Sequence, residues 1–246
     1  MEKKIIYYDK LFPIYDNKEV LNKLKIDRDS VSYISSPIYA EKITKIILNH
    51  IKTTKTIITD CTAGCGGDTI SFLNKFRKVH SIEKNLIRFN NLLNNIKVYN
   101  LTRNSRIYCS AFLDVIKNIE DHDVLYIDPP WGGKSYRKHK TLKLIIDNMQ
   151  LEDIILDIYN ENIMKKTPKL VVLKLPNNYD LKYLYNKVNN KCKIFLYNLN
   201  KMFIIVLESK NIENLDNLYL TSSSLVNPSS ETLSPKTSIS DFSEAL

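Results

Sequence analysis

From residue 56 onward, short runs of β-branched and apolar residues alternate along the chain with stretches of helical periodicity. The runs predict five strands, at Thr56–Asp60, Val79–Glu83, Ser105–Cys109, Asp123–Asp128 and Leu170–Leu175. Helices are predicted between or after them, near residues 67–76, 86–98, 112–118, 151–164 and 180–189. This alternation is typical of a parallel sheet covered by helices, so the predicted fold class is α/β.

The pattern changes at its end, where two strand-like runs follow each other without a helix between them. Lys193–Tyr197 and Met202–Leu207 are separated by a short turn at residues 198–200, which favours an antiparallel hairpin. We therefore expect a seven-stranded, mostly parallel sheet that ends in a C-terminal antiparallel hairpin. Such a sheet departs from a plain dinucleotide-binding fold.

Both ends of the chain lie outside this pattern. Ser36-Pro37 suits the cap and first turn of a helix that would pack on the sheet. Residues 1–35 mix aromatic and charged side chains, and we expect them to dock as an N-terminal cap segment. One domain would follow over residues 36–210. Residues 211–246 would form a linker and a Ser-rich tail, because the nine serines and two prolines of residues 221–246 predict disorder.

All five glycines of the chain fall in two short stretches. Three of them lie in DCTAGCGGDT at residues 60–69, and the other two lie in DPPWGG at residues 128–133, which also contains the only tryptophan, Trp131. Glycine lets the backbone approach a ligand closely or adopt a positive φ without a steric cost. The distribution therefore predicts two turns that contact ligands.

The first glycine stretch follows a strand that ends at Asp60 and precedes a helix that carries Asp68 and Thr69 in its first turn. Backbone N–H groups in such a turn face a ligand, but two carboxylates nearby suit an ammonium group better than a phosphate. Glu83 ends the next strand, where an acid can accept hydrogen bonds from both hydroxyls of a ribose. These features together predict S-adenosylmethionine as cofactor, although the glycine stretch alone is also compatible with a purely structural turn.

The second stretch, DPPW, suits recognition of an exocyclic amine on a nucleobase. Pro129 and Pro130 have no N–H, so their carbonyls and the Asp128 carboxylate form a wall of acceptors. Hydrogen bonds to the two amine hydrogens turn the nitrogen lone pair toward a methyl donor without a strong base. Trp131 offers a flat face for the base, and a buried core tryptophan is the alternative.

Charge points to a polyanionic partner. The net charge is +9, and residues 221–246 hold three acids and one lysine, so the remainder carries +11. A basic run from Lys134 to Lys140 follows the tryptophan and would contact phosphates. The alternatives are that lysine is the default surface residue of an A/T-rich genome and that the run is a solvated loop.

Composition excludes several other classes. No stretch approaches the roughly 18 consecutive apolar residues of a membrane span, and the N-terminus lacks the apolar run of a secretory signal. We therefore expect an intracellular protein that does not bind membranes and is a monomer. The four cysteines lack paired spacing and the four histidines are scattered, so free thiols and no bound metal are expected.

At DPPWGG, with DCTAGCGGDTISF upstream, the chain resembles the trimethylguanosine synthase family, class I methyltransferases that act on guanine N2 of 7-methylguanosine RNA caps. LFPIYD at residues 11–16 is similar to the LFxxFD segment of that family, and KLPNN at residues 174–178 is similar to its LPRN. The resemblance covers about residues 8–207 and implies strand order 3-2-1-4-5-7-6.

By position, the resemblance implies roles for individual residues. Gly64, Gly66, Gly67 and Thr69 would hold the methionine part of the cofactor, Glu83 its ribose, with Phe112 beside its adenine and Asp60 and Asp128 also on the cofactor side. Asp128 and Pro129 would orient guanine N2, and Trp131 would stack on the cap base. The remaining substrate contacts implied are Lys134, Tyr136, Arg137 and Asn178.

The chain departs from the family pattern at several positions. Asp128 stands where the family usually has Ser or Asn, and DPPW also occurs in adenine-N6 methyltransferases. Ala111 replaces an acid expected beside the adenine, while Ile14 and Asn177 replace basic residues, so that Lys10, Lys134 or Arg137 would have to make the phosphate contacts. The predicted function is methyl transfer to N2 of 7-methylguanosine in an RNA 5′ cap. The alternatives are an adenine-N6 or guanine-N2 methyltransferase on internal RNA or DNA positions, and a non-catalytic RNA-binding subunit.

Overall fold

The structure is a computed structural model, and it describes residues 7–14, 18–210 and 237–238. The chain divides into two compact units. The first consists of Met1–Asp128 and Ile163–Lys165, and the second of Pro129–Asn162 and Lys166–Leu246. The chain passes between the units at three peptide bonds, the first of which, between Asp128 and Pro129, lies inside the DPPW motif.

The first unit contains a parallel four-stranded sheet. Its strands are β1 (Ile57–Asp60), β2 (Lys78–Ile82), β3 (Ser105–Tyr108) and β4 (Val124–Ile127). They are arranged in the order β4-β1-β2-β3, with every neighbouring pair parallel. Strands β1 and β4 are buried along their whole length, as expected for parallel strands covered on both faces by helices.

Helices connect and cover these strands. They are α1 (Tyr8–Leu11), α2 (Pro37–Ile51), α3 (Gly67–Leu73), α4 (Leu86–Val98) and α5 (Phe112–Val115), with 3-10 turns at Lys18–Lys23, Ser30–Ser32, Thr102–Asn104 and Ile116–Asn118. The α2 helix begins where Ser36-Pro37 predicts, but the Ser36 side chain makes no capping hydrogen bond. By contrast, the Asn85 side chain accepts hydrogen bonds from the N–H groups of Ile87 and Arg88 at the start of α4.

The chain before α2 packs against the start of α3 and the length of α4. Phe12, Leu24 and Ile70 form a buried apolar cluster there. The fully buried Asn95 side chain accepts a hydrogen bond from the N–H of Lys25 (2.8 Å) and donates to the carbonyls of Lys25 (2.8 Å) and Cys65 (3.0 Å). One amide therefore joins the N-terminal segment to the glycine-containing turn after β1.

The second unit is built on antiparallel strands. Its elements are β5 (Ile145–Ile146), β6 (Met149–Gln150), α6 (Leu151–Tyr159), β7 (Leu170–Pro176), α7 (Leu181–Val188), β8 (Cys192–Asn198), β9 (Met202–Ser209) and β10 (Thr237–Ser238), together with a 3-10 turn at Gly133–Lys138. Strand β9 pairs antiparallel with both β7 and β8, and β10 pairs antiparallel with β8.

The predicted strand order 3-2-1-4-5-7-6 is observed within each unit: the first has β3-β2-β1-β4, and the second has β7-β9-β8 as its strands 5, 7 and 6. Strand β10, next to β8, was not predicted. One local prediction was wrong, and one hairpin was not predicted. The helix predicted over residues 151–164 ends at Tyr159, because Glu161 takes a left-handed φ of 59° that stops it. The β5–β6 hairpin was missed, although Asp147 and Asn148 both take the positive φ that a two-residue turn requires.

The predicted terminal segments are described only in part. Of the tail predicted to be disordered, all but Thr237 and Ser238 lies outside the described residues, and so do residues 1–6 and 15–17 of the cap segment. Across the described ranges, no helix is long and apolar enough to cross a membrane. The four cysteines are free thiols.

Candidate active site

Asp60 ends β1 and is buried beneath the glycine-containing turn. Its carboxylate accepts hydrogen bonds from the Thr69 hydroxyl (2.6 Å) and the Thr62 N–H (3.3 Å). Burial, together with the negative charges of Asp68 and Asp128, raises the pKa of Asp60 to about 7, although the two hydrogen bonds oppose the rise. A cation at the turn would lower this pKa again, so the position suits an ammonium group.

Thr69 contacts Asp60 rather than the surface of the turn. Its side chain is fully buried and its hydroxyl is used in the hydrogen bond to the carboxylate. Thr69 therefore fixes the orientation of Asp60, and the direct contact with the methionine part of a cofactor that the resemblance implies for it stays a prediction. Sequence position alone does not reveal the contact with Asp60, because both residues are polar and lie at the two ends of the same turn.

The three glycines of the turn differ in what surrounds them. Gly64 has a φ of 54°, and no atom lies within 4 Å of the position that a Cβ would take there, so its surroundings are open enough for a ligand. Gly66 has a φ of 99° and packs against Leu92. At Gly67, a Cβ would lie 2.7 Å from Ile34 and 2.9 Å from the carbonyl oxygen of Ser35. Gly67 is therefore required by packing against the N-terminal segment, and its contact with a ligand stays a prediction.

Replacement of Gly67 by alanine should lower the free energy of unfolding by about 1–3 kcal/mol, because the Ser35 backbone cannot move aside as a flexible side chain would. Gly64→Ala is the matched comparison, since it meets no neighbour and only forces alanine to a positive φ, at a cost of about 1 kcal/mol. Urea denaturation of both variants measures the difference. A Gly67→Ala protein as stable as the parent would contradict the packing role.

Glu83 follows β2, and both of its carboxylate oxygens are held by backbone groups. Oε2 accepts a hydrogen bond from the Gly64 N–H (2.9 Å) and Oε1 accepts one from the Asn85 N–H (2.7 Å). Each oxygen can accept at least one further hydrogen bond. The carboxylate is thus oriented before any ligand binds and is tied to the most open glycine of the turn, which fits the pair of hydroxyls on a ribose.

Asp68 connects the turn to two other parts of the first unit. Its Oδ2 accepts hydrogen bonds from the hydroxyls of Ser35 (2.5 Å) and Tyr126 (2.9 Å). Burial and the nearby carboxylates of Asp68, Asp128 and Asp60 raise the pKa of Tyr126 well above its usual value, so the phenol remains a donor. Neither Ser35 nor Tyr126 is near the turn in sequence, so no local pattern predicts these two donors.

The remaining predicted residues of the first unit also lie at the carboxyl ends of its strands. Asp128 follows β4, which pairs with β1, and its N–H donates to the Thr62 hydroxyl (2.8 Å). Phe112 begins α5 after β3 and is buried. Because the four strands are parallel, Asp60, Glu83, Phe112 and Asp128 meet at one edge of the sheet, where ligands of open α/β sheets bind.

In the second unit, Trp131 is half-buried and its ring is fixed at two points. The indole N–H donates to the carbonyl oxygen of Lys174 in β7 (3.3 Å). The Tyr136 ring lies 5.2 Å from the indole, centroid to centroid, at an interplanar angle of 77°. Since the indole N–H already has a partner, what Trp131 offers a ligand is its ring surface.

Asn178 holds the segment that carries Tyr136. Its side-chain amide donates to the carbonyls of Tyr136 (2.9 Å) and His139 (2.8 Å), while Arg137 donates to the Tyr136 hydroxyl (3.3 Å). Both amide hydrogens are used, so Asn178 positions Tyr136, and its own contact with a substrate stays a prediction. Tyr136 and the exposed Arg137 remain placed for contact, and Lys134 lies in the same 3-10 turn.

Asn177 and Ile14, which replace basic residues of the family pattern, lie in different surroundings. Asn177 donates a hydrogen bond to the carbonyl of Asn200, which holds the turn between β8 and β9. Ile14 is exposed. Pro129 is buried whereas Pro130 is exposed. The short amide of Asn177 therefore supports the hairpin by its hydrogen bond to Asn200, and a long arginine side chain would not make this hydrogen bond with the same geometry.

The fold and the glycine turn define a class I, Rossmann-like methyltransferase. The 16S rRNA N2 G1207 methyltransferase RsmC of Thermus thermophilus, solved with AdoMet and guanosine, is similar in fold at a TM-score of 0.53 and 13% identity, over 76% of this chain and 44% of that one. A SAM-dependent O-methyltransferase of Thermotoga maritima is similar in fold, with a TM-score of 0.53 and 13% identity, over 72% of this chain and 66% of that one.

Residues 55–219 match the family described as RNA cap guanine-N2 methyltransferase, and the chain belongs to that family. Trimethylguanosine synthase of Schizosaccharomyces pombe is 30% identical over 159 residues, which are 62% of this chain and 63% of the yeast protein. The uncharacterized protein L320 of Acanthamoeba polyphaga mimivirus is 32% identical over 213 residues, 76% of this chain and 80% of that one.

The protein is thus an S-adenosylmethionine-dependent methyltransferase, and the residues of its first unit fit that cofactor. Gly64 leaves open space beside the turn, and Glu83 presents oriented oxygens for a ribose. An ammonium group bound near Asp60 would stabilise its carboxylate against the burial that raises its pKa. A diphosphate would be repelled by the carboxylates of Asp60 and Asp68.

Proposed function

We propose that this protein methylates the exocyclic N2 of 7-methylguanosine in the 5′ cap of an RNA. When bound, S-adenosylmethionine supplies an electrophilic methyl group. The residues proposed to hold it are Asp60, Gly64, Gly66, Glu83, Phe112 and Asp128, with Thr69 and Gly67 supporting the turn. The residues proposed to hold the cap are Trp131, Tyr136, Lys134 and Arg137, with Asn178 positioning Tyr136.

The observation that carries the cap assignment is the fixed indole of Trp131. Its N–H is used by the Lys174 carbonyl, so the side chain cannot read base edges as a donor. A ring held in this way recognises a flat ligand through its face. Methylation at N7 makes guanine a cation, and a cation over an indole gains about 0.5–2 kcal/mol beyond stacking. An uncharged base gains less from the same surface.

Asp128 and Pro129 are proposed to orient the amine. A carboxylate and a proline carbonyl are acceptors only, so they match the two hydrogens on N2 and reject a keto oxygen at the same place. Hydrogen bonds to those hydrogens fix the direction of the nitrogen lone pair, and orientation of this kind replaces a strong base. Asp128 is itself held by the Thr62 hydroxyl through its backbone N–H.

Incubation with 7-methyl-GTP or GTP and isotopically labelled S-adenosylmethionine tests the proposal. We expect 7-methyl-GTP to be methylated several-fold faster at low substrate concentration, because only the cationic base gains the cation–π energy. The mass of the product shows whether one or two methyl groups are added. 7-Methylinosine triphosphate is the matched control, since it keeps the positive charge but lacks the N2 amine, and it should not be methylated.

Equal rates on methylated and unmethylated guanosine would contradict cap recognition. Methylation of adenine-containing RNA or DNA, with none of 7-methyl-GTP, would favour the adenine-N6 alternative, which the DPPW sequence shares. A chain that binds S-adenosylmethionine but methylates none of these substrates would favour the RNA-binding subunit.

A further inference from the structure

Arginine is rare in this chain, and half of the arginine residues line one cleft. The sequence contains 30 lysines and six arginines, and three of the six, Arg77, Arg103 and Arg106, line the same open cleft of about 460 Å³ in the first unit. Because lysine outnumbers arginine five to one in this chain, three arginines in one cleft are more than a random distribution would place there. We call this cleft, lined by Arg77, Lys78, Arg103, Asn104, Ser105, Arg106 and Asp121, the arginine cleft.

The arginine cleft lies at the amino ends of β2 and β3. Arg77 directly precedes β2, Arg103 lies in the 3-10 turn before β3, and Arg106 is the second residue of β3. The two strands pair in parallel, with His80 opposite Arg106, so the loops that enter them are neighbours. Two of the proposed cofactor residues, Glu83 and Phe112, follow the carboxyl ends of the same two strands. The cleft is therefore separate from the candidate active site.

Positive charge in the arginine cleft is only partly compensated. Among the residues that line it, Asp121 alone carries a carboxylate, which already contacts the Lys78 ammonium (3.1 Å) and the His80 ring (3.2 Å). Among the described residues, no carboxylate forms an ion pair with any of the three guanidinium groups, all of which belong to exposed side chains. The cleft thus presents about three unpaired positive charges to solvent, and the repulsion between them destabilises the folded state.

The hydroxyl of Ser105 is a further polar group in the arginine cleft. Its oxygen is buried and has no hydrogen-bond partner among the described residues. Guanidinium groups bind phosphate through two parallel hydrogen bonds, which an ammonium group cannot do, and hydroxyls commonly add a further contact to phosphate oxygens. The side chains available therefore match a chain of phosphates better than an isolated carboxylate.

We propose that the arginine cleft binds the phosphate backbone of the RNA that follows the cap. This inference rests on the proposed function in that it takes the bound polymer to be the methylation substrate. Strand β2 has five residues, so its two ends are about 16 Å apart. An RNA that reaches from the carboxyl end of β2 to the cleft must span at least this distance. Only a substrate several nucleotides long can occupy both places.

The test compares two triple variants that remove the same charge. In one, Arg77, Arg103 and Arg106 are replaced by alanine, and in the other the exposed Lys42, Lys45 and Lys97 are replaced by alanine. Binding of an uncapped, fluorescently labelled RNA of about 20 nucleotides is measured by anisotropy at several salt concentrations. We expect the arginine variant to bind at least tenfold more weakly and its salt dependence to fall by about two units of slope, with little change in the lysine variant.

Activity separates this inference from the proposed function. The arginine variant should methylate 7-methyl-GTP at the parent rate but show a raised KM for a capped RNA of about 20 nucleotides. Equal weakening of RNA binding in both triple variants would overturn the inference, because it would mean diffuse attraction. Displacement of the RNA by millimolar inorganic phosphate would also overturn it, because it indicates a small-anion site. The same holds if the arginine variant keeps its RNA binding but loses binding of an acidic protein. RNA binding without methylation of 7-methyl-GTP would overturn only the proposed function.

Discussion

Replacement of Trp131 by alanine is expected to abolish nearly all methyl transfer to 7-methyl-GTP while S-adenosylmethionine still binds. The indole provides both the stacking surface and the cation–π energy for the base, and it is anchored by a backbone carbonyl of β7. The proposed cofactor residues belong to the first unit and do not include Trp131. Steady-state rates with 7-methyl-GTP and calorimetric titration with S-adenosylmethionine measure the two effects separately.

Trp131→Phe is the matched control for this prediction. Phenylalanine keeps a stacking face but weakens the cation–π energy and loses the hydrogen bond to Lys174, so partial activity should remain. The preference for 7-methyl-GTP over GTP should also shrink in this variant. Full activity of Trp131→Ala, or loss of cofactor binding with an unchanged melting temperature, would remove Trp131 from base recognition.

The second large effect is expected at Glu83. Glu83→Ala should weaken S-adenosylmethionine binding by about 10- to 150-fold, because a charge-assisted hydrogen bond is worth roughly 1.5–3 kcal/mol. The two oxygens already accept hydrogen bonds from Gly64 and Asn85, so the carboxylate is oriented for the ribose without further ordering. Calorimetry on the folded variant gives the affinity directly.

Glu83→Ala also leaves the N–H groups of Gly64 and Asn85 without their acceptor, so a loss of stability must be separated from a loss of affinity. Glu83→Gln serves this purpose, since glutamine keeps one acceptor oxygen and the shape of the side chain but not the charge. It should bind the cofactor with intermediate affinity and melt close to the parent. Unchanged affinity in both folded variants would remove Glu83 from the cofactor site.

Much of this architecture follows from local sequence. Alternating strand and helix patterns predict the class of fold, and an acid at the end of the second strand locates Glu83 beside the turn that contains Gly64. Parallel pairing then forces Asp60 and Asp128 to one edge of the sheet, as predicted. These inferences succeed because periodicity and strand ends are properties of a few consecutive residues.

The early end of α6 and the missed β5–β6 hairpin are local errors, whereas the roles missed at the site involve partners distant in the sequence. Gly67 has the same neighbours in sequence as a ligand-binding glycine, and only the approach of Ser35 shows that packing requires it. Asn178 is recruited by the carbonyls of Tyr136 and His139, about 40 residues earlier, and its role is invisible in a motif. The arginine cleft likewise joins side chains from two separate loops.

The contacts of the N-terminal segment bear on how this sequence can change over evolutionary time. The family match begins at residue 55, yet Ser35 bonds Asp68 and Lys25 bonds Asn95, which in turn holds the carbonyl of Cys65. A mutation that shifts the segment would leave buried polar groups unsatisfied beside the cofactor turn. We therefore expect substitutions in the segment to require compensating substitutions in the turn, so that the two vary together among related sequences.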